Sequence, residues 1–129
     1  MTRFVAGRSI PDLLVSSLPE QPDPNPQTLQ KLRDFLANIA QGEDVPLMTP
    51  GLRAALDPNA KTILAARLKD LKDFTFITCD ELQGRVLERY GARISRLCYD
   101  KMRTGMETRY YTFWLTPEGQ VTDFGSSTE

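Results

Sequence analysis

The chain has 129 residues, 40% of them hydrophobic and 26% charged, an ordinary globular balance that excludes an intrinsically disordered chain and sets one domain as the expected count. A formal net charge of −1 supplies no global field for nucleic acid or an anionic membrane. No window approaches the roughly 20 apolar residues that a spanning helix needs.

Met1–Arg8 lacks the apolar stretch of a signal peptide. With only two cysteines, Cys79 and Cys98, both inside strand-like runs, the expectation is a pair of buried free thiols in a reducing cytosol. The sequence has no histidine and no CxxC spacing, which argues against a bound metal, and no cofactor is expected.

Residues Arg3–Leu18 are apolar in part (Phe4, Val5, Ile10, Leu13, Leu14, Val15, Leu18) but without a clean period. Pro19, Pro22, Pro24 and Pro26 then crowd together. Each proline fixes φ and removes a donor, so residues 1–26 read as an extended arm and 27–129 as the packed domain. From Gln27 the rhythm turns helical. Leu29, Leu32, Phe35, Leu36, Ile39 and Ala40 form one stripe of a 3.6-residue period, and Gly42 supplies the stop. Thr49–Pro50 reads as an N-cap with proline in the first turn, opening a short helix to Leu56. Asp57–Pro58 repeats that signal for a third helix, with Ile63, Leu64, Leu68 and Leu71 as its stripe.

The period then changes to two. Phe74–Cys79 alternates and is rich in aromatic and β-branched residues, a strand. Further strands are expected at Arg85–Tyr90, at Arg93–Met102 with a bulge near Ser95–Arg96, at Met106–Thr116, and at Val121–Ser126 after a Thr116–Gln120 hairpin turn with Gly119 in the left-handed position. Links this short require mainly antiparallel pairing. The result is an α+β domain with its N-terminal helices on one face of a curved sheet. Tyr111, Phe113 and Leu115 should face the helices, and Tyr110, Thr112 and Trp114 the other side.

A helix such as Leu29–Ala40, two short helices and long strands ending in Tyr110–Phe124 (YYTFWLTPEGQVTDF) resemble the nuclear-transport-factor-2-like (NTF2-like, cystatin-like fold) superfamily. In particular they resemble small domains attached behind bacterial serine hydrolases, over about Gln27–Ser126. The resemblance implies a cone-shaped α+β fold. It also implies a homodimer through the sheet face away from the helices, which would bury Tyr110, Thr112 and Trp114, and a pocket between helices and concave sheet. Enzymatic members use His, Asp and Tyr; the absence of histidine here departs from them, and fold alone carries no activity.

The chemical leads are few. A general base needs a histidine or a carboxylate with a raised pKa. Asp100 and Asp123, with Tyr99, Arg96 and Arg109 nearby, could line a Tyr/Asp/Arg cavity, with Tyr99, Arg109 and Asp123 as the candidate ligand contacts; the plainer alternative is cross-strand ion pairs on a solvated face. Cys98 lacks a histidine to activate it. Ser9, Ser126 and Ser127 have no base partner, and no GxSxG, phosphate loop or zinc spacing occurs. No catalytic residue is therefore nominated.

Seven basic residues (Arg85, Arg89, Arg93, Arg96, Lys101, Arg103, Arg109) face three acids between Gly84 and Tyr110 and interleave with Tyr90, Tyr99 and Tyr110. Strand alternation divides them between two faces, so neither nucleic acid nor a membrane is an expected partner. The expected role is a non-catalytic dimerisation or interaction module, with a small-molecule pocket as the alternative and isomerase or hydrolase chemistry behind both.

Overall fold

The structure is a computed structural model that describes residues 22, 26–43, 45–82 and 87–128. All but Pro22 and Pro26 of the proline-rich arm lie outside the described residues. Among the described residues three helices, α1 (Pro26–Gln41), α2 (Pro50–Ala55) and α3 (Ala60–Lys69), precede six strands. These are β1 (Leu71–Glu81), β2 (Leu87–Arg89), β3 (Ala92–Ile94), β4 (Arg96–Thr104), β5 (Thr108–Leu115) and β6 (Val121–Ser127). The domain is α+β, with a four-stranded sheet ordered β1-β4-β5-β6 and a separate β2-β3 hairpin. Every strand pair is antiparallel. No helix among the described residues is long and apolar enough to cross a membrane.

The helix signals act locally. Gly42 sits at φ 73°, where its amide donates to Ile39 O and that of Glu43 to Asn38 O. This closes α1 with the paired hydrogen bonds of a Schellman motif. Thr49 caps α2 by accepting from the Leu52 amide, with Pro50 in the first turn. The third start differs from expectation. Asp57 Oδ1 accepts from the Asn59 amide at 2.8 Å, so its carboxylate closes a local turn and α3 begins only at Ala60. Ile63, expected in the buried stripe, is 42% exposed, and Leu71 already belongs to β1.

Alternation along β5 decides how the layers meet. Tyr111, Phe113 and Leu115 are buried with Leu32, Phe35, Leu36 and Ile39 of α1, Leu52 of α2 and Leu64 of α3. Phe113 stacks on Tyr111 and Phe124 with centroids 5.9 and 6.3 Å away. The Phe35 ring meets Phe113 and Phe124 edge-on, at 6.3 and 5.3 Å, the arrangement that aligns ring edge with ring face. Register shifts at Leu71/Asp73, Phe76/Thr78 and Trp114/Leu115 add local twist. The expected bulge near Ser95 proves to be a break. Ser95 donates to Leu115 O and accepts from the Leu82 amide, and there the chain passes from the small hairpin into the main sheet.

Cys79 and Cys98 are register partners on β1 and β4 and form a disulfide. This corrects the expectation of two free thiols. Sequence spacing carries no register, whereas antiparallel pairing places the two side chains opposite each other on one face. The argument for a reducing cytosol falls with the thiols, because such bonds persist in oxidising compartments.

Two stability measurements follow from this packing. Phe113→Ala should lower unfolding free energy by about 3–5 kcal/mol in urea titrations, as truncation of a fully buried ring in a helix–sheet contact does; a loss under 1 kcal/mol would contradict the packing described. Reduction, or the pair Cys79→Ala and Cys98→Ala, should cost about 3 kcal/mol through the released loop constraint, read as a lower denaturation midpoint with dithiothreitol than without.

Candidate functional site

The outward-facing residues of β5 lead to the site. Tyr110 and Trp114 pack against a second buried cluster made of Ile77, Leu82, Ile94, Leu97 and Tyr99, with Leu87 beside them. The β2-β3 hairpin stands over this side of the sheet. Its two-residue loop places Tyr90 at φ 51° and Gly91 at φ 78°, both left-handed as a tight hairpin requires. Glycine takes that conformation freely, but for tyrosine it costs on the order of 1 kcal/mol, so tertiary contacts must hold the tip.

Those contacts are specific. The Leu52 amide donates to Thr49 Oγ1, Thr49 Oγ1 to Thr122 Oγ1 (3.2 Å), and Thr122 Oγ1 to Arg89 O (2.7 Å). Thr49 and Thr122 are both buried, so this hydroxyl relay ties α2, β6 and the hairpin in a region where an unmade hydrogen bond is expensive. Arg89 Nε donates to Asp123 Oδ2 at 2.7 Å, and its guanidinium lies 4.7 Å from the Trp114 ring centroid and 5.3 Å from that of Tyr90. Half-exposed as it is, the ion pair contributes about 1 kcal/mol or less; its main effect is to hold the guanidinium over the indole, where cation–π attraction adds to it. The hairpin tip also presses on α2. A Cβ built on Gly51 would lie 1.9 Å from Tyr90 O, so only glycine permits this approach.

Between hairpin and sheet lies a cleft of about 720 Å³. Its floor is Tyr99, Tyr110, Thr112 and Trp114, and its walls come from Leu87–Tyr90 and from Asp123–Ser127 of β6. Tyr99, Asp123, Tyr110, Thr112 and Trp114, nominated from the sequence as ligand or interface residues, thus meet in one place. Arg109 does not join them. Adjacent strand residues face opposite sides, and Arg109 lies on the helix side, donating from Nε to Ser126 Oγ at 3.1 Å and from Nη1 to Glu107 Oε2 at 3.0 Å. Asp100 is likewise on the helix side, fully buried and opposite Tyr111 in register. The sheet therefore divides the anticipated Tyr/Asp/Arg cavity in two.

Several basic residues of the Arg85–Arg109 band meet carboxylates: Arg89 with Asp123, Arg96 with Glu81, Arg103 with Asp73 and Arg109 with Glu107. Asp73–Arg103 and Glu81–Arg96 are cross-strand register partners, the pairing that stabilises a solvated sheet face. Among the described residues no group of three His, Cys, Asp or Glu side chains could hold a metal ion. Sequence reasoning missed Arg89 as a clasp and Gly51 as its seat. The Tyr90–Gly91 pair was the available signal for the hairpin tip.

Thr122→Val, which keeps shape and removes the hydroxyl, should destabilise the domain by about 1–3 kcal/mol and speed amide exchange through Leu87–Ile94. Gly51→Ala should produce the same local opening by steric contact. Unchanged protection of the hairpin in both variants would show that the relay does not hold it. No family model, curated protein or solved structure matches the chain, so its functional reading rests on the chemistry of the cleft itself.

Proposed function

We propose that the chain is a non-catalytic binding module that takes a small, flat aromatic molecule into the cleft between the β2-β3 hairpin and the sheet. The observation that supports this most strongly is the grouping of Tyr99, Tyr110 and Trp114 under a hairpin fixed by its own clasp. Ligand sites combine a largely apolar, preformed concavity with a few placed polar groups, and the cleft has both. Thr112 puts a hydroxyl on the floor and Arg89 puts guanidinium donors on the wall. Asp123 is engaged by Arg89 and by the Phe124 amide, so it serves as a wall and not as a base. Aromatic rings stack offset or edge-on to such a floor, adding specificity beyond area burial.

The competing reading is a homodimer over the same face. The part-exposed surfaces of Tyr110, Thr112 and Trp114 would suit it, but flat sheet-on-sheet packing at about 10 Å meets the hairpin standing in the way. Three helices against one face of an antiparallel sheet also support an NTF2-like reading of the fold, and with it a role as an accessory domain beside a bacterial hydrolase.

Trp114 is the single tryptophan, so its fluorescence reports on the cleft alone. The neutral dye N-phenyl-1-naphthylamine should quench Trp114 saturably while its own emission rises by energy transfer. Thr112→Arg, which fills the floor, should weaken that uptake about tenfold or more while circular dichroism stays unchanged. Absence of quenching, or equal affinity in a folded Thr112→Arg protein, would refute the cleft as a ligand site. A concentration-dependent dimer that excludes the dye, seen by sedimentation, would establish the sheet-face dimer in its place.

A further inference from the structure

The other side of β6 carries a second groove, of about 430 Å³, between α2, α3 and the strand. Ala60, Ile63, Leu64 and Arg67 of α3 line it, at spacings that place one face of the helix along it. Leu52, Leu56 and Phe124 complete an apolar trough. Ile63, a large hydrophobic side chain that is 42% exposed, belongs to its wall.

One end of the helix stripe is charged. Arg67 Nη1 donates to Tyr111 Oη at 2.8 Å and to Ser126 Oγ at 3.2 Å, and Arg109 Nε converges on the same Ser126 Oγ. Arg109 has Glu107 as a counter-ion. Arg67 is paired with no carboxylate among the described residues. A guanidinium has five donors in a planar fork, and the two hydroxyls engage only one of its nitrogens. Two carboxylates also line the groove, Asp57, whose Oδ1 accepts from the Asn59 amide, and Asp123, which is paired with Arg89; Asp100 is buried opposite Tyr111. Two hydroxyls hold the fork in place without neutralising it, which is a preorganised receptor for a carboxylate.

We propose that this groove binds a free medium-chain alkyl carboxylate, its chain along Leu56, Ile63 and Leu64 and its head group on Arg67. The stripe from Ala60 to Arg67 runs about 10 Å along the helix, which sets the chain length. The site adjoins the aromatic cleft along β6, sharing Tyr90 and Asp123–Ser126 with it, but Ile63 and Arg67 lie only here and Trp114 only there.

Octanoate, octanol and octylammonium, titrated separately into the full chain and followed by amide chemical shifts, provide the test. Octanoate should shift the amides of Ile63, Arg67 and Ser126 saturably, octanol should bind about tenfold or more weakly, and octylammonium should not bind. Arg67→Gln should abolish the preference for octanoate over octanol, and Arg67→Lys should retain part of it. Ile63→Glu, at an exposed position, should remove octanoate binding while dye uptake beside Trp114 continues. Equal binding of octanoate and octanol, persistence of the preference in Arg67→Gln, or no shift with octanoate at all would overturn the proposal whatever the dye does in the other cleft.

Discussion

The contact on which the structure turns is the Phe35 ring set edge-on against Phe113 and Phe124. It joins the first helix to the two last strands, elements separated by most of the chain, and it does so where Phe35 and Phe113 are almost wholly buried. Once Phe113 faces α1, the two-residue period of a strand leaves no freedom to its neighbours. Thr112 and Trp114 must point away, and a half-apolar face on that side must find cover. The β2-β3 hairpin is that cover, which is why the chain leaves the main sheet after Glu81 and re-enters it at Arg96. A strained Tyr90 at the tip is tolerated because three tertiary attachments act on it together: the hydroxyl relay through Thr122, the Arg89–Asp123 pair, and the close seat on Gly51.

Much of this was legible in local sequence. The α1 stripe, the Thr49–Pro50 start, the Gly42 stop, the Gly119 turn and the two faces of β5 each depend on residues within one or two turns of each other, and backbone sterics settle them there. Asp57–Pro58 shows the limit of such signals. The same aspartate that can cap a helix can also close a turn onto Asn59, and both outcomes look alike in sequence. Cys79–Cys98 shows a different limit, because a disulfide depends on strand register, which is fixed by Phe74, Met102 and their neighbours packing under the helices. Arg67 shows a third. In sequence it is an ordinary basic residue near the end of a helix, and it acquires meaning only from Tyr111 and Ser126, 44 and 59 residues away.

The disulfide adds a constraint that the aromatic core does not supply. It links an edge strand to its inner neighbour across the point where the hairpin loops out, so the ends of that excursion cannot separate even if the hairpin lifts from the sheet. Cys98 is buried against the helices, whereas Tyr99, the next residue, contributes to the cleft. The bond therefore fixes the floor of the cleft from behind and leaves the roof to its own attachments.

That separation of roof from floor has a physical consequence for binding. A cleft formed wholly by core packing would open only by unfolding, at a cost near the full stability of the domain. Here the roof is held by polar attachments, each contributing about 1 kcal/mol, and by the buried Ile94 with Leu87 beside it, whereas the floor is held by an aromatic stack and a covalent bond. Local opening of such an element takes less free energy than global unfolding. Lifting the hairpin tip would open the cleft without disturbing Phe113. Asp123 to Ser126 of β6 line both grooves, so this edge strand is shared between them.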